Sequence, residues 1–236
     1  MPMVDLGSVP GGSQRLRGYL ATPNGDGPWS SVVVVHEAWG LDEVMKRQAD
    51  RLASMGYLAL APDLYSDGGA LRCVVRVMKA LTAQQGPAVV DLDFSRDWLL
   101  GRADTTDKVG MIGFCMGGGF ALVSATRGYD VISDNYGQMP KDKSFDGSAP
   151  VVASYGGRDR SLKGVAGKLD DALTKAGVAH DVKEYPNAGH SFLNDRPNAP
   201  LPFRPMMKVV MHGGPEPESA SDAWTRIETY FHHYLR

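Results

Sequence analysis

The sequence predicts an α/β fold in which a mostly parallel central sheet carries helices on both faces. Three observations support this. Strand-like and helix-like segments alternate along the chain. Several of the strand-like segments, 31–36, 57–62 and 108–114 among them, are dominated by continuous apolar runs rather than by apolar residues at every second position. No internal repeat or low-complexity linker separates them. Strands buried on both faces read as continuous apolar runs, and helical crossovers are what bury a parallel sheet on both sides. With 236 residues, 43% hydrophobic and 22% charged, residues 1–236 are read as one globular domain.

The elements follow in order. Residues 15–22 form the first expected strand. Residues 31–36, with Val32, Val33, Val34 and Val35 in succession, form a strand with no polar side. A helix is expected over 42–56, with Asp42 as N-cap and Gly56 as its stop. Residues 57–62 make another apolar strand. The region 69–102 is helical in pattern, broken near Gly86 and Pro87. A strand over 108–114 runs straight into a Gly- and Ala-rich helix over 116–126. Strands at 131–136 and 150–155, a helix at 162–177 and a strand at 180–185 continue the alternation. The last helix is the clearest, because Ala223, Trp224, Ile227, Tyr230, Phe231, Tyr234 and Leu235 fall on one stripe. Ahead of it, residues 194–218 read as a Pro-rich loop folded over the body. There Leu201, Phe203, Met206 and Met207 are placed to line a pocket, pack the loop down or form a dimer surface.

Composition narrows the function. A formal net charge of −2 with scattered Lys and Arg offers no basic surface for nucleic acid or an anionic membrane. Residues 1–10 lack the basic start and apolar run of a secretory signal, and no apolar stretch is long enough to cross a bilayer. Only Cys73 and Cys115 are present, so no disulfide framework is expected and a cytoplasmic setting is the default. Gly117, Gly118 and Gly119 are not followed by the Lys of a phosphate loop, and dinucleotide spacing is absent. His232 and His233 are adjacent on a helix and face different directions, a poor chelating pair. No cofactor and no metal are expected. The partner is a small molecule, and the chain is a monomer or homodimer.

The sharpest local pattern is Gly113-Phe114-Cys115-Met116-Gly117, set directly between an apolar strand and a helix. It reads as a nucleophile elbow with cysteine as the nucleophile. Turning from strand to helix at one residue forces that residue into strained backbone, and side chains two positions away would strike neighbouring backbone. The sulfur then stands at a helix N-terminus, and the Met116 N–H points to where an oxyanion forms. The plainer alternative is a small buried hydrophobe beside glycines that only let a helix pack closely. An elbow nucleophile needs a base and a group to orient it, in the order nucleophile, acid, histidine. Among six histidines, His190 lies on a turn after a late strand, whereas His36 and His180 sit in strand patterns and His212 in the Pro-rich loop. Asp159, after the 150–155 strand, is the candidate acid, with Asp134 as a weaker competitor inside a strand.

Together with His36-Glu37-Ala38-Trp39-Gly40-Leu41 and the segment 59–65, these residues resemble the dienelactone hydrolase family of α/β-hydrolases. The likeness runs from Arg15 to Leu193 and returns in the last helix. The resemblance implies an α/β-hydrolase fold and cleavage of a small ester or lactone through a Cys115–His190–Asp159 triad and a thioester acyl-enzyme. It implies that Glu37 holds the resting thiol and takes up its proton, and that the Ala38 and Met116 amides form the oxyanion hole. The bland role for Glu37 is to cap the next helix or pair with an arginine. Trp39, Arg72, Tyr155 and Ser191 are candidate substrate contacts. Position 194, four residues after the histidine, carries Asn where the family places a carboxylate-binding arginine; Arg72, Arg76, Arg196 and Arg204 are the other cations available. An acyltransferase or thioesterase on the same scaffold, or a non-catalytic binding protein, are the competing functions.

Overall fold

The apolar runs pair as their patterns require. The computed structural model describes residues 2–236. Its strands are β1 (Met3–Gly7), β2 (Leu16–Ala21), β3 (Trp29–Val35), β4 (Leu58–Pro62), β5 (Thr105–Phe114), β6 (Val131–Asn135), β7 (Val151–Gly156) and β8 (His180–Tyr185). Among the described residues they form one sheet in the order β1-β2-β4-β3-β5-β6-β7-β8. The first two pairings, β1 with β2 and β2 with β4, are antiparallel. All the others are parallel. Every residue of β4, β6 and β7 is buried, which is why those strands carry no alternating polar face.

The helices are α1 (Glu43–Ser54), α2 (Ala70–Ala83), α3 (Pro87–Leu100), α4 (Met116–Ser124), α5 (Val165–Lys175), α6 (Arg204–Val209) and α7 (Pro217–Leu235). Asp42 caps α1 as expected, its carboxylate accepting from the Met45 N–H at 2.9 Å. Neighbouring residues of a strand point to opposite faces, and β5 shows which helix covers which. At Gly113 an added Cβ would lie 1.9 Å from the Gly117 carbonyl oxygen in α4. The next side chain, Phe114, has its ring centroid 6.3 Å from that of Trp224 in α7. So α4 and α7 lie on opposite faces of the sheet. The apolar stripe of α7 is buried at Ala223, Trp224, Ile227, Phe231 and Leu235; burying each of the large members is worth roughly 1.5–3 kcal/mol.

Two expectations change. Strand β1 was not expected: only Leu6 of its five residues is buried, so its conformation comes from pairing with β2 rather than from its own pattern. The segment 194–218 is also more than a loop. It contains a 3-10 turn, Leu201–Phe203, then α6, and it includes the start of α7. Pro202, Pro205 and Pro217 all fall in first turns, where a missing N–H costs no helical bond, so the prolines do not prevent helix. Met207 is buried, whereas Leu201, Phe203 and Met206 are exposed. Among the described residues no helix is long and apolar enough to cross a membrane.

Candidate active site

The chain order places β3 and β5 side by side with their connections running to opposite sides, and crevices outside the carboxyl ends of such strands are where open α/β sheets bind ligands. Glu37 and Ala38 follow β3, Cys115 follows β5, Asp159 follows β7 and His190 follows β8. Cys115 has φ +55° and ψ −116°, a left-handed backbone that cysteine adopts only under constraint. That constraint is visible on both sides. The Cys115 N–H donates to the Asn135 carbonyl at 3.0 Å, and its own carbonyl accepts from Gly118 at 3.0 Å. At Gly117 an added Cβ would come 2.1 Å from the Val35 carbonyl oxygen. Met116 is the first residue of α4, so its N–H has no acceptor within the helix. Cys115 is partly exposed amid buried neighbours.

His190 is buried, and its Nδ1 hydrogen-bonds Asp159 Oδ2 at 2.6 Å. The other oxygen of Asp159 accepts from the Ser161 N–H at 2.9 Å and its hydroxyl at 2.6 Å. Burial pushes the Asp159 carboxyl upward, but His190 and Ser161 outweigh it and hold the group below its usual range. On the other side of the ring, buried Nε2 makes no hydrogen bond of full geometry, but the Cys115 sulfur lies within its reach and acts on it both by charge and as a hydrogen-bond partner. Burial disfavours the imidazolium, yet the Cys115 sulfur and the Asp159 carboxylate together lift it to about 10. The histidine turn is held by the segment beyond it: its N–H donates to Met211 at 2.9 Å and its carbonyl accepts from Gly214 at 2.9 Å. At Gly189 a Cβ would lie 2.0 Å from the His212 carbonyl oxygen.

A raised histidine has a defined consequence for stability. Below its ordinary value of 6.5 the imidazolium exists in folded and unfolded chains alike, and its contribution is complete. That contribution fades as pH rises through about 10. Urea unfolding is therefore expected to show stability falling between pH 7 and 10, and Asp159→Asn, which removes one of the groups that raise His190, is expected to flatten that fall. An unchanged slope in the variant would break the link between the two residues.

Glu37 is fully buried, and Asp42 rather than Glu37 caps α1. Glu37 Oε1 accepts from the Ser191 hydroxyl at 2.8 Å and the Asn194 amide at 3.1 Å, and Oε2 accepts from Asn198 at 2.8 Å. Burial raises its carboxyl despite these donors and the nearby His190. Its hydrogen bonds thus run to the Ser191–Asn198 turn and not to the Cys115 thiol. His36 is a structural residue: Nδ1 bonds the Glu37 carbonyl at 2.7 Å, Nε2 accepts from Leu64 N–H at 3.2 Å, and burial lowers its basicity. Tyr65 fastens the same loop by donating to the Ala38 carbonyl at 3.0 Å.

The expected substrate contacts separate. Trp39 is half-buried, with its ring 5.1 Å from Phe203. Tyr155 is part of the core, its hydroxyl bonded to buried Asp134, which itself accepts from the Gly137 N–H at 2.9 Å. Asp134 is thereby occupied and, pushed up to about 6 by burial, is not the acid that orients His190. Ser191 is committed to Glu37. Arg72 is exposed on α2, in a groove with Val75, Arg76 and Lys79, and Arg76 pairs with Asp67 at 3.3 Å. Arg196 and Arg204 line a separate cavity of about 570 Å³ with Asn194, Asn198 and Lys208. Asn194, at the position of the family arginine, is spent on Glu37. Cys73 is buried in α2. Sequence reading missed Asn198 and Tyr136. For Tyr136 the available cue was Asn135-Tyr136-Gly137 at a strand end; Asn198 offered none.

The model of the dienelactone hydrolase family matches residues 16–235. A Methylorubrum extorquens protein named “Putative carboxymethylenebutenolidase” is 30% identical over 237 residues, covering 92% of this chain and 76% of its own. A Yersinia pestis protein of the same name is 30% identical over 246 residues, covering 95% and 86%. Among solved structures, one described as a “Putative Dienelactone Hydrolase” from Klebsiella pneumoniae matches with TM-score 0.75 and 26% identity over 99% of both chains. The metagenomic phosphotriesterase P91, described as dienelactone hydrolase-like, matches with TM-score 0.80 over 100% of this chain and 98% of its own; at 24% identity it speaks to the fold alone.

Proposed function

The chain belongs to the dienelactone hydrolase family and is a hydrolase, and from that premise we propose that it cleaves a small ester or lactone with Cys115 as nucleophile. The observation that carries this reading is the strained Cys115 at the start of α4, facing a His190 that Asp159 holds at 2.6 Å. In the proposed reaction the Cys115 sulfur, its proton already held on His190, attacks the ester carbonyl. The tetrahedral oxygen is met by the amides of Met116 and Ala38. Collapse breaks the bond to the leaving oxygen, which receives the proton from His190, and leaves a thioester on Cys115. Water, deprotonated by His190, then attacks the thioester, releasing the acid and restoring the free sulfur with the proton back on His190.

Glu37 enters this scheme as a positioning residue. Its carboxylate ties Ser191, Asn194 and Asn198 together, and so fixes the turn that carries His190. With Asn194 engaged there, the reading favours a substrate whose recognition does not depend on a cation at that position.

Trapping the intermediate tests the reading. Acid quenching during steady turnover of p-nitrophenyl acetate, followed by peptide mass spectrometry, is expected to find one acetyl group on Cys115. Turnover with an acyl group on another residue would overturn the assignment.

A further inference from the structure

The Tyr136 hydroxyl is buried with no hydrogen-bond partner among the described residues, and in the neighbouring His190 ring Nε2 has only the Cys115 sulfur within reach. Buried polar groups are nearly always paired, so one left unpaired calls for a specific explanation, a catalytic role among them. The two rings are neighbours, with centroids 5.1 Å apart. Tyr136 is 1% exposed, and Phe114 and Phe192 pack on its ring at 6.4 and 5.6 Å.

Its placement is over-determined. Tyr136 follows β6, the strand between the one that delivers Cys115 and the one that leads to Asp159. Its φ of +47° is a left-handed value that a tyrosine keeps only when its surroundings impose it. Its N–H donates to Ser154 at 2.8 Å. The next residue, Gly137, donates to Asp134 at 2.9 Å and sits so close to α4 that a Cβ would be 2.4 Å from Gly118 backbone carbon. The phenol also remains a donor throughout: burial first, then the charges of Glu37, Cys115 and Asp134, push its ionisation well above the ordinary range.

We propose that Tyr136 is a further catalytic residue, whose hydroxyl donates a hydrogen bond to the leaving-group oxygen beside the His190 Nε2–H. The proposal rests on the Cys115–His190 reading. The carbonyl oxygen is claimed by the amides of Ala38 and Met116, so the acceptor left on the His190 side of the ester is the leaving oxygen. When the tetrahedral adduct collapses, the C–O electron pair moves onto that oxygen and His190 transfers its proton there. Tyr136 keeps its own proton and shares the developing charge.

The help matters most when the leaving group is basic. Wild type, Cys115→Ala and Tyr136→Phe are compared on the acetate esters of p-nitrophenol, phenol and ethanol. Tyr136→Phe is expected to lose about 100-fold in kcat/KM on ethyl acetate but less than about threefold on p-nitrophenyl acetate. Removing an unpaired hydroxyl leaves the packing intact, and circular dichroism verifies the fold. Site-specific 3-fluorotyrosine at position 136, which keeps the hydroxyl, is expected to restore ethyl acetate turnover. An equal loss on all three esters, no loss, or no recovery with fluorotyrosine would overturn the role of Tyr136 while leaving the triad standing. If wild type cleaves none of the esters, or Cys115→Ala cleaves them as well as wild type, the thiol reading fails and this role with it.

Discussion

Cys115→Ala is expected to lower ester turnover by about 10⁴-fold or more in a protein that still folds. The size of the effect follows from the absence of a substitute: Cys73, the other cysteine, is buried in α2. Folding is expected to survive because alanine keeps the Cβ at φ +55° and removes only the sulfur, so the strain of the elbow is unchanged. Initial rates on p-nitrophenyl acetate, with circular dichroism beside them, measure both. The substitution also removes the sulfur that favours the His190 imidazolium, so the alkaline loss of stability should be smaller and should be complete at a lower pH than in wild type. Turnover within tenfold of wild type would exclude a thioester route and leave water, activated by His190, as the attacking group.

The parts of the site that were legible in the sequence are those where local backbone and chemistry coincide. The elbow required glycine at 113 and 117 because the strand-to-helix turn brings backbone against backbone there, and the structure places carbonyl oxygens where those Cβ atoms would lie. Asp159 and His190 were legible because each follows a strand in the order that the elbow demands. The parts that were not legible depend on contacts between distant segments. Asn198 reaches Glu37 across 161 positions, and nothing near either residue announces that bond. Tyr155 looked available at the end of a strand, but its hydroxyl turns to Asp134, a partner fixed only when β6 and β7 pair. The segment 194–218 read as a loop from its prolines, yet its contacts brace the site from outside. Arg47 grips Asp195 at 2.7 and 2.8 Å, and residues 211–214 clamp the His190 turn.

Gly117→Ala is the second large effect expected, and it acts on the scaffold rather than the sulfur. The new Cβ would lie 2.1 Å from the Val35 carbonyl oxygen and 2.9 Å from that of His36. Both are backbone atoms of the strand end and loop that carry Glu37 and Ala38, so neither can turn aside as a side chain would. Overpacking of this kind costs about 4 kcal/mol or more, roughly 10 °C in Tm for a chain of this size. Gly167→Ala provides the contrast. That glycine is exposed in α5 with nothing within 4 Å of an added Cβ, and alanine there is expected to raise stability by about 0.5–1 kcal/mol. The Gly117 clash also has a direct chemical reading. Relieving it pushes α4 away from the loop after β3, which separates the Met116 amide from the Ala38 amide. Any Gly117→Ala protein that does fold should therefore still be alkylated by iodoacetamide at Cys115 while turning over esters about 100-fold more slowly. A folded variant with wild-type turnover would mean that the spacing between α4 and the β3 loop does not set the oxyanion site.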